Sequence, residues 1–206
     1  GALAISQLGV EPLARPVNMD ETSTYFGHIF VRKDSSISNV REMKGKTMVF
    51  VERATTAGYV FPLAYLKRNG VVQYDTFFKK TYFSGSHDGA IQAVLDGHAD
   101  VGAAKNTILD RIIKEHPDIQ DNLVIIASSL RVPSNGLCVT AETDENLKRK
   151  IKETLLSLDK DPDGKRVLQK FGALRFVVTS KNDYQPVFDM AQEADIDLSA
   201  YTYVNQ

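Results

Sequence analysis

The sequence predicts an α/β fold built around mainly parallel sheets, and three observations carry that prediction. A strand, a polar turn and a helix follow one another over Thr47–Arg68. The same unit recurs over Lys80–Leu95 and again over Asp100–Glu115. Strands that alternate with helices are joined by crossovers, and crossovers set neighbouring strands parallel. With 206 residues, 43 % of them apolar, the chain can fill the core of one large domain or of two smaller lobes.

Taken in order, Ala2–Leu8 reads as the end of a helix stopped by Gly9. Glu11–Val17 and Tyr25–Val31 alternate apolar and polar residues as strands do, with a polar loop at Met19–Thr24 between them. Arg32–Ser38 is a connector, Asn39–Lys44 a short helical piece, and Gly45 its stop. Thr47–Val51 is a buried strand that leads through Glu52–Ala57 into a helix from about Gly58 to Arg68. Lys80–Phe83 is a strand, Ser84–Ser86 a turn, and His87–Leu95 a helix with Ile91, Val94 and Leu95 on one face. Asp100–Ala104 precedes the helix Thr107–Glu115, which Pro117 terminates. Leu123–Ala127 and Leu137–Thr140 are strands on either side of a Pro133-Ser134-Asn135-Gly136 turn. Asp144 caps the helix Glu145–Leu158, and Asp161 opens another that Gly172 ends. The strand Leu174–Val178 and the helix Asp183–Ala194 complete the pattern, with no internal repeat and no low-complexity tract.

Composition removes several classes of function. Twenty-five basic residues stand against twenty-six acidic ones, and no lysine or arginine cluster exists to neutralise a row of phosphates, so nucleic acid is not an expected partner. No apolar run reaches the roughly 18 residues of a membrane span, and the first residues lack the regions of a signal peptide. Cys138 is a single thiol in an apolar strand, read as core packing. His28, His87, His98 and His116 have no metal-ligand spacing, and no nucleophile motif is present. No metal, cofactor or catalytic residue is therefore expected.

Two turns remain as candidate sites. Arg53-Ala54-Thr55-Thr56-Ala57-Gly58-Tyr59 joins a buried strand to a helix. Free N–H groups and the positive end of the helix dipole favour an anion there, and two threonine hydroxyls can add donors. The competing reading makes Thr55 or Thr56 an ordinary N-cap. Phe83-Ser84-Gly85-Ser86-His87-Asp88-Gly89-Ala90 is a second strand-to-helix turn. The dipole opposes protonation of a histidine at a helix start, which favours a neutral imidazole that donates one N–H or a cation held by a bound anion, and either state suits an oxyanion. The alternative is an exposed turn histidine. Asn135 is either a ligand contact or part of a plain Asn-Gly turn, and Lys105-Asn106, at a strand's C-terminal end, offers either a crevice residue or a solvated lysine.

The order of motifs resembles one family: the phosphate, phosphite and phosphonate-binding proteins of ABC importers, which have the type 2 periplasmic-binding-protein fold. The resemblance is carried by Glu11–Pro16, Thr22–Tyr25, Val31–Ser35, Met43–Lys46, Val51–Lys67, Phe83–Ala90, Ala93–Gly97, Leu158–Asp161 and Phe171–Gly172. It implies two α/β lobes with a ligand cleft between them, the first from residues 1–36 plus 129–206 and the second from 37–128. It also implies that family members carry two further βα units ahead of the position of Gly1, so that the first lobe is incomplete. By position the ligand contacts carry over to Tyr25, Thr55, Thr56, Ala57, Gly58, Tyr59, His87 and Asn135. Ala57 stands where the family has a third hydroxyl, so only its N–H can serve. Asn135 stands where aminoalkylphosphonate binders have an aspartate, and an amide lacks the charge to pair with a ligand amine. Phosphite, phosphate or a simple alkylphosphonate is the expected guest. The resemblance further implies a periplasmic or extracytoplasmic monomer that serves an ABC permease. The same module also forms sensor domains of membrane receptors and kinases, and that role is the alternative.

Overall fold

The computed structural model describes residues 1–201. Helix α1 (Ala2–Leu8) is followed by strands β1 (Glu11–Asn18), β2 (Thr24–Tyr25), β3 (Gly27–Arg32) and β4 (Thr47–Phe50). Next come α2 (Phe61–Arg68), α3 (Tyr74–Phe77), β5 (Lys80–Phe83), α4 (His87–Leu95), β6 (Val101–Lys105), α5 (Asn106–Glu115) and α6 (Ile119–Asn122). Strands β7 (Leu123–Ser128), β8 (Val132–Pro133) and β9 (Leu137–Val139) lead to α7 (Glu145–Ser157), α8 (Pro162–Phe171), β10 (Ala173–Val178) and α9 (Gln185–Glu193).

These elements form two compact units. The first comprises Gly1–Tyr25, Arg131–Phe188 and Asp197–Tyr201; the second comprises Phe26–Leu130 and Asp189–Ile196. In the second unit a five-stranded sheet has the order β5-β4-β6-β3-β7. Strand β4 runs parallel to β5 and β6, whereas β3 is antiparallel to both β6 and β7. Its core joins Phe30, Val49 and Val51 from the sheet to Ile91, Val94 and Leu109 from α4 and α5. In the first unit β10-β1-β9 is an antiparallel sheet, and β2 pairs antiparallel with β8. Ala14, Leu168, Ala173 and Phe176 form the core of that unit.

The α/β class stands, with parallel pairing confined to β5-β4-β6. Strand β3 alone runs against the rest: β7, antiparallel to β3, points the same way as β4, β5 and β6 and is reached from β6 through α5 and α6, but β3 lies between β6 and β7 and keeps them from pairing.

The expected strand Tyr25–Val31 is broken at Phe26. The Asn106 side chain accepts from Phe26 N–H at 3.0 Å, and Asn106 N–H donates to Phe26 C=O at 3.0 Å. Both polar groups of Phe26 are thereby taken out of strand pairing, and the boundary between units falls between Tyr25 and Phe26. Residues 26–36, 129–130 and 189–196 lie in the second unit rather than the first; Gly27–Arg32 pairs there with β6 and β7, and Arg68 there holds Glu193. Residues 202–206 of the expected first lobe lie outside the described residues.

Local signals set the helix ends. Asp144 accepts from Leu147 N–H at 3.1 Å, and Asp161 accepts from Gly164 N–H at 2.9 Å. Gly172 closes α8 at φ 81°, a left-handed conformation that costs glycine little.

Candidate functional site

The second unit brings both candidate turns to one end of its sheet. Strands β4 and β5 are hydrogen-bonded parallel neighbours with Phe50 opposite Phe83, so the turns that leave them start side by side. The pairing continues beyond the strands: Ser84 N–H donates to Phe50 C=O at 2.9 Å and Gly85 N–H to Val51 C=O at 3.0 Å. Strand β6, on the other side of β4, ends at Lys105. Three loops therefore meet at the C-terminal ends of three parallel strands, where open α/β sheets form their crevices.

The first turn enters its helix through a π-helical stretch, Thr56–Val60, ahead of α2. Val60 N–H reaches back to Thr55 C=O at 3.1 Å, and Phe61 N–H bonds Thr56 C=O. The N–H groups of Thr56, Ala57 and Gly58 precede the first of these bonds and have no acceptor within the helix. Such a wide turn recurs at functional positions. Gly58 makes it possible, because an added Cβ would fall on the Val51 side chain. Gly27 performs a similar service for β3, since a Cβ there would meet the Ala57 backbone at 3.0 Å.

Neither threonine acts as a side-chain cap. Thr55 occupies the N-cap position, but its hydroxyl donates to Glu52 C=O at 2.6 Å and closes the turn. That proton is committed, which leaves the half-buried Thr56 as the hydroxyl donor of the pair. Tyr59 is 4 % exposed, and its hydroxyl meets Tyr74 and Arg53 at 3.3 Å each. Tyr59 thus supports the turn from beneath.

The second turn passes through Gly85 at φ 77° and is capped by Ser86, whose hydroxyl accepts from Gly89 N–H at 3.0 Å. His87 follows, half-buried. Its Nδ1 accepts from Lys105 N–H at 3.1 Å, which assigns the ring proton of the neutral imidazole to Nε2. Burial pushes the His87 pKa down to about 4, helped by the Lys105 ammonium and opposed by Asp88 and Glu52. At neutral pH the ring is an uncharged N–H donor with its acceptor nitrogen already occupied. Asp88, in the first turn of α4, is ion-paired to Arg111.

The Lys105-Asn106 pair turns out to be structural at two points. Asn106 is 6 % exposed and clamps Phe26, while the Lys105 amide holds His87. Their position at the end of the third parallel strand is the only hint of this in the sequence.

Tyr25 and Asn135 lie in the first unit. Tyr25 is half-buried and pairs with Val132 across the β2-β8 ladder. Asn135 is exposed on a turn anchored by its neighbour. Ser134 is 3 % exposed; its N–H bonds Ser23 C=O at 3.0 Å and its C=O accepts from the Tyr184 hydroxyl at 3.3 Å. Among the described residues, no cluster of three or more His, Cys, Asp or Glu side chains could hold a metal, and no helix is long and apolar enough to cross a membrane.

Comparison with known proteins bears on the family and the fold. A sequence family described as "ABC transporter, phosphonate, periplasmic substrate-binding protein" matches residues 1–184. A probable ABC transporter phosphite binding protein, PhnD1, from Prochlorococcus marinus (strain MIT 9301) is 25 % identical over 164 residues, covering 77 % of this chain and 55 % of that protein. The phosphonates-binding periplasmic protein of Escherichia coli (strain K12) is 26 % identical over 193 residues, covering 91 % and 56 %. The chain thus spans about half the length of these curated relatives. The solved structure of the Prochlorococcus PhnD1 in complex with methylphosphonate superimposes with a TM-score of 0.73 at 23 % identity, covering 93 % of this chain and 74 % of that one, a likeness of fold.

Proposed function

The chain belongs to the family of periplasmic phosphonate substrate-binding proteins of ABC transporters, and from that membership and the turn geometry we propose that it binds a small phosphorus oxyanion for import and catalyses no reaction. The guest is phosphite, phosphate or a simple alkylphosphonate. The observation that carries this reading is the fixed His87 tautomer. An uncharged Nε2–H donor, locked by Lys105, follows the strand beside the one that leads to the N–H groups of Thr56, Ala57 and Gly58, which lack helical acceptors.

In this reading the Thr56 hydroxyl and these amides grip the phosphorus oxygens, with His87 beside them, while Thr55 and Tyr59 hold the turn in shape. Tyr25 and Asn135 remain candidate contacts by the family resemblance alone. An anion bound by amides, a hydroxyl and an imidazole gains hydrogen bonds of about 1.5–3 kcal/mol each, enough together for micromolar affinity. The protein works outside the cytoplasm, as a monomer that hands its guest to an ABC permease. A thermal-shift panel of phosphite, phosphate, methylphosphonate, 2-aminoethylphosphonate and sulfate, repeated on His87→Ala, tests the proposal. At least one phosphorus compound should stabilise the parent protein and fail to stabilise the variant. Equal responses to all five would mean a general salt effect and no site.

A further inference from the structure

Among the described residues, Arg53 is the arginine that lies over aromatic rings. Arg15, Arg32, Arg68 and Arg111 each hold a carboxylate. The exposed Arg53 instead lies over two aromatic rings, with its Cζ 5.7 Å from the Tyr59 centroid and 5.2 Å from the Phe83 centroid. One of its N–H groups donates to the Tyr59 hydroxyl at 3.3 Å. No carboxylate is among its contacts within the described residues.

Its location matters as much as its partners. Arg53 belongs to the first turn, and Phe83, 39 % exposed, is the last residue before the second. The guanidinium therefore sits where the two turns adjoin. Stacking uses the flat face of a guanidinium and leaves the N–H donors pointing outward in its plane, in the fork that matches two oxygens of one oxyanion.

Local charge supplies a reason for such a group. The charges that act on His87 are Lys105, Asp88 and Glu52, and Asp88 is paired with Arg111. His87 itself is neutral at neutral pH. A cation beside the amides and hydroxyls adds a Coulomb attraction that grows with the charge of the anion, and so favours a doubly charged oxyanion further.

We propose that Arg53 is the charge-selecting residue of the anion site: held by Tyr59 and Phe83 between the two turns, its guanidinium forks onto the guest and favours doubly charged phosphorus oxyanions over singly charged ones. This rests on the oxyanion-binding function proposed above.

The test compares phosphite with hypophosphite in the full protein by titration calorimetry at mildly alkaline pH, where phosphite carries two charges and hypophosphite one. Arg53→Gln should weaken phosphite by roughly 10- to 100-fold and hypophosphite by less than about threefold. Arg53→Lys should recover most of the discrimination, because it restores the charge without the fork. Equal weakening of both anions, or no weakening of either, overturns the selecting role while binding by the parent protein leaves the function intact. Failure of the parent protein to bind phosphite, phosphate or methylphosphonate overturns the function and the selecting role together. Unfolding curves for Arg53→Gln should match the parent's, since the side chain is exposed; a collapsed fold would instead make Arg53 a structural cap and sink the inference.

Discussion

Acidifying the protein should expose how His87 is held. An unfolded chain takes up a proton at His87 as the pH falls through 6.5, but the native ring stays neutral until about 4. Between those values the unfolded state binds more protons than the native one, so His87 contributes its full stability above 6.5 and loses it on the way down. At about 1.4 kcal/mol per pH unit the window is worth up to about 3 kcal/mol. Partial contact of the ring with water reduces the expectation to about 2 kcal/mol. His87→Asn provides the control, because an amide oxygen can accept from Lys105 N–H without titrating. Urea unfolding followed at several pH values should show the parent losing about 2 kcal/mol more than the variant between roughly pH 7 and pH 4.5. The half-buried His28, also shifted downward by burial, cancels in the comparison. Nitrogen chemical shifts of the native ring should report a proton on Nε2. Parallel stability curves, or a ring that titrates near 6.5 with its proton on Nδ1, would refute the assignment of His87 as a locked neutral donor.

Three other outcomes follow from the site and its support. Thr56→Val removes the uncommitted hydroxyl and should weaken phosphite or methylphosphonate binding about tenfold by calorimetry, whereas Thr55→Val, which removes a turn-closing bond to Glu52, should act mainly on the melting temperature. Gly58→Ala drives a methyl group into Val51 where the π-helical stretch meets β4, and should cost about 1–3 kcal/mol in urea unfolding; a neutral result would mean that the turn can shift away from the strand. Asn135→Asp adds a carboxylate on an anchored, exposed turn and should improve 2-aminoethylphosphonate relative to phosphite in the thermal-shift panel. An unchanged ranking would remove Asn135 from the site.

The two turns of the candidate site were legible because their parts are local. The strand, turn and helix around Thr55–Gly58 are written in neighbouring residues, as are those around Ser84–His87. The roles of the individual side chains were less so. Thr55 and Thr56 are equivalent in sequence, yet only one spends its hydroxyl on Glu52, a choice made by the path of the turn. Lys105 could be placed at a strand end but not matched to His87, since the two are 18 positions apart. Arg53 lies inside the first motif, but its aromatic platform includes Phe83 from the next strand.

Short-range pattern was enough for most of the longer helices and strands, the caps at Asp144 and Asp161, the stop at Gly172 and the family, because each of these is written in residues within a few positions of one another; the short α3, α6, β2 and β8 escaped it. Long-range packing was needed to set which strands are parallel, where the chain leaves the first unit, which nitrogen of His87 carries the proton and what Arg53 rests on. Asn106 makes the point: it interrupts a strand at Phe26, 80 positions away, by taking both backbone hydrogen bonds that pairing would have used. Contacts of that kind arise only after the chain has folded, and no local pattern announces them.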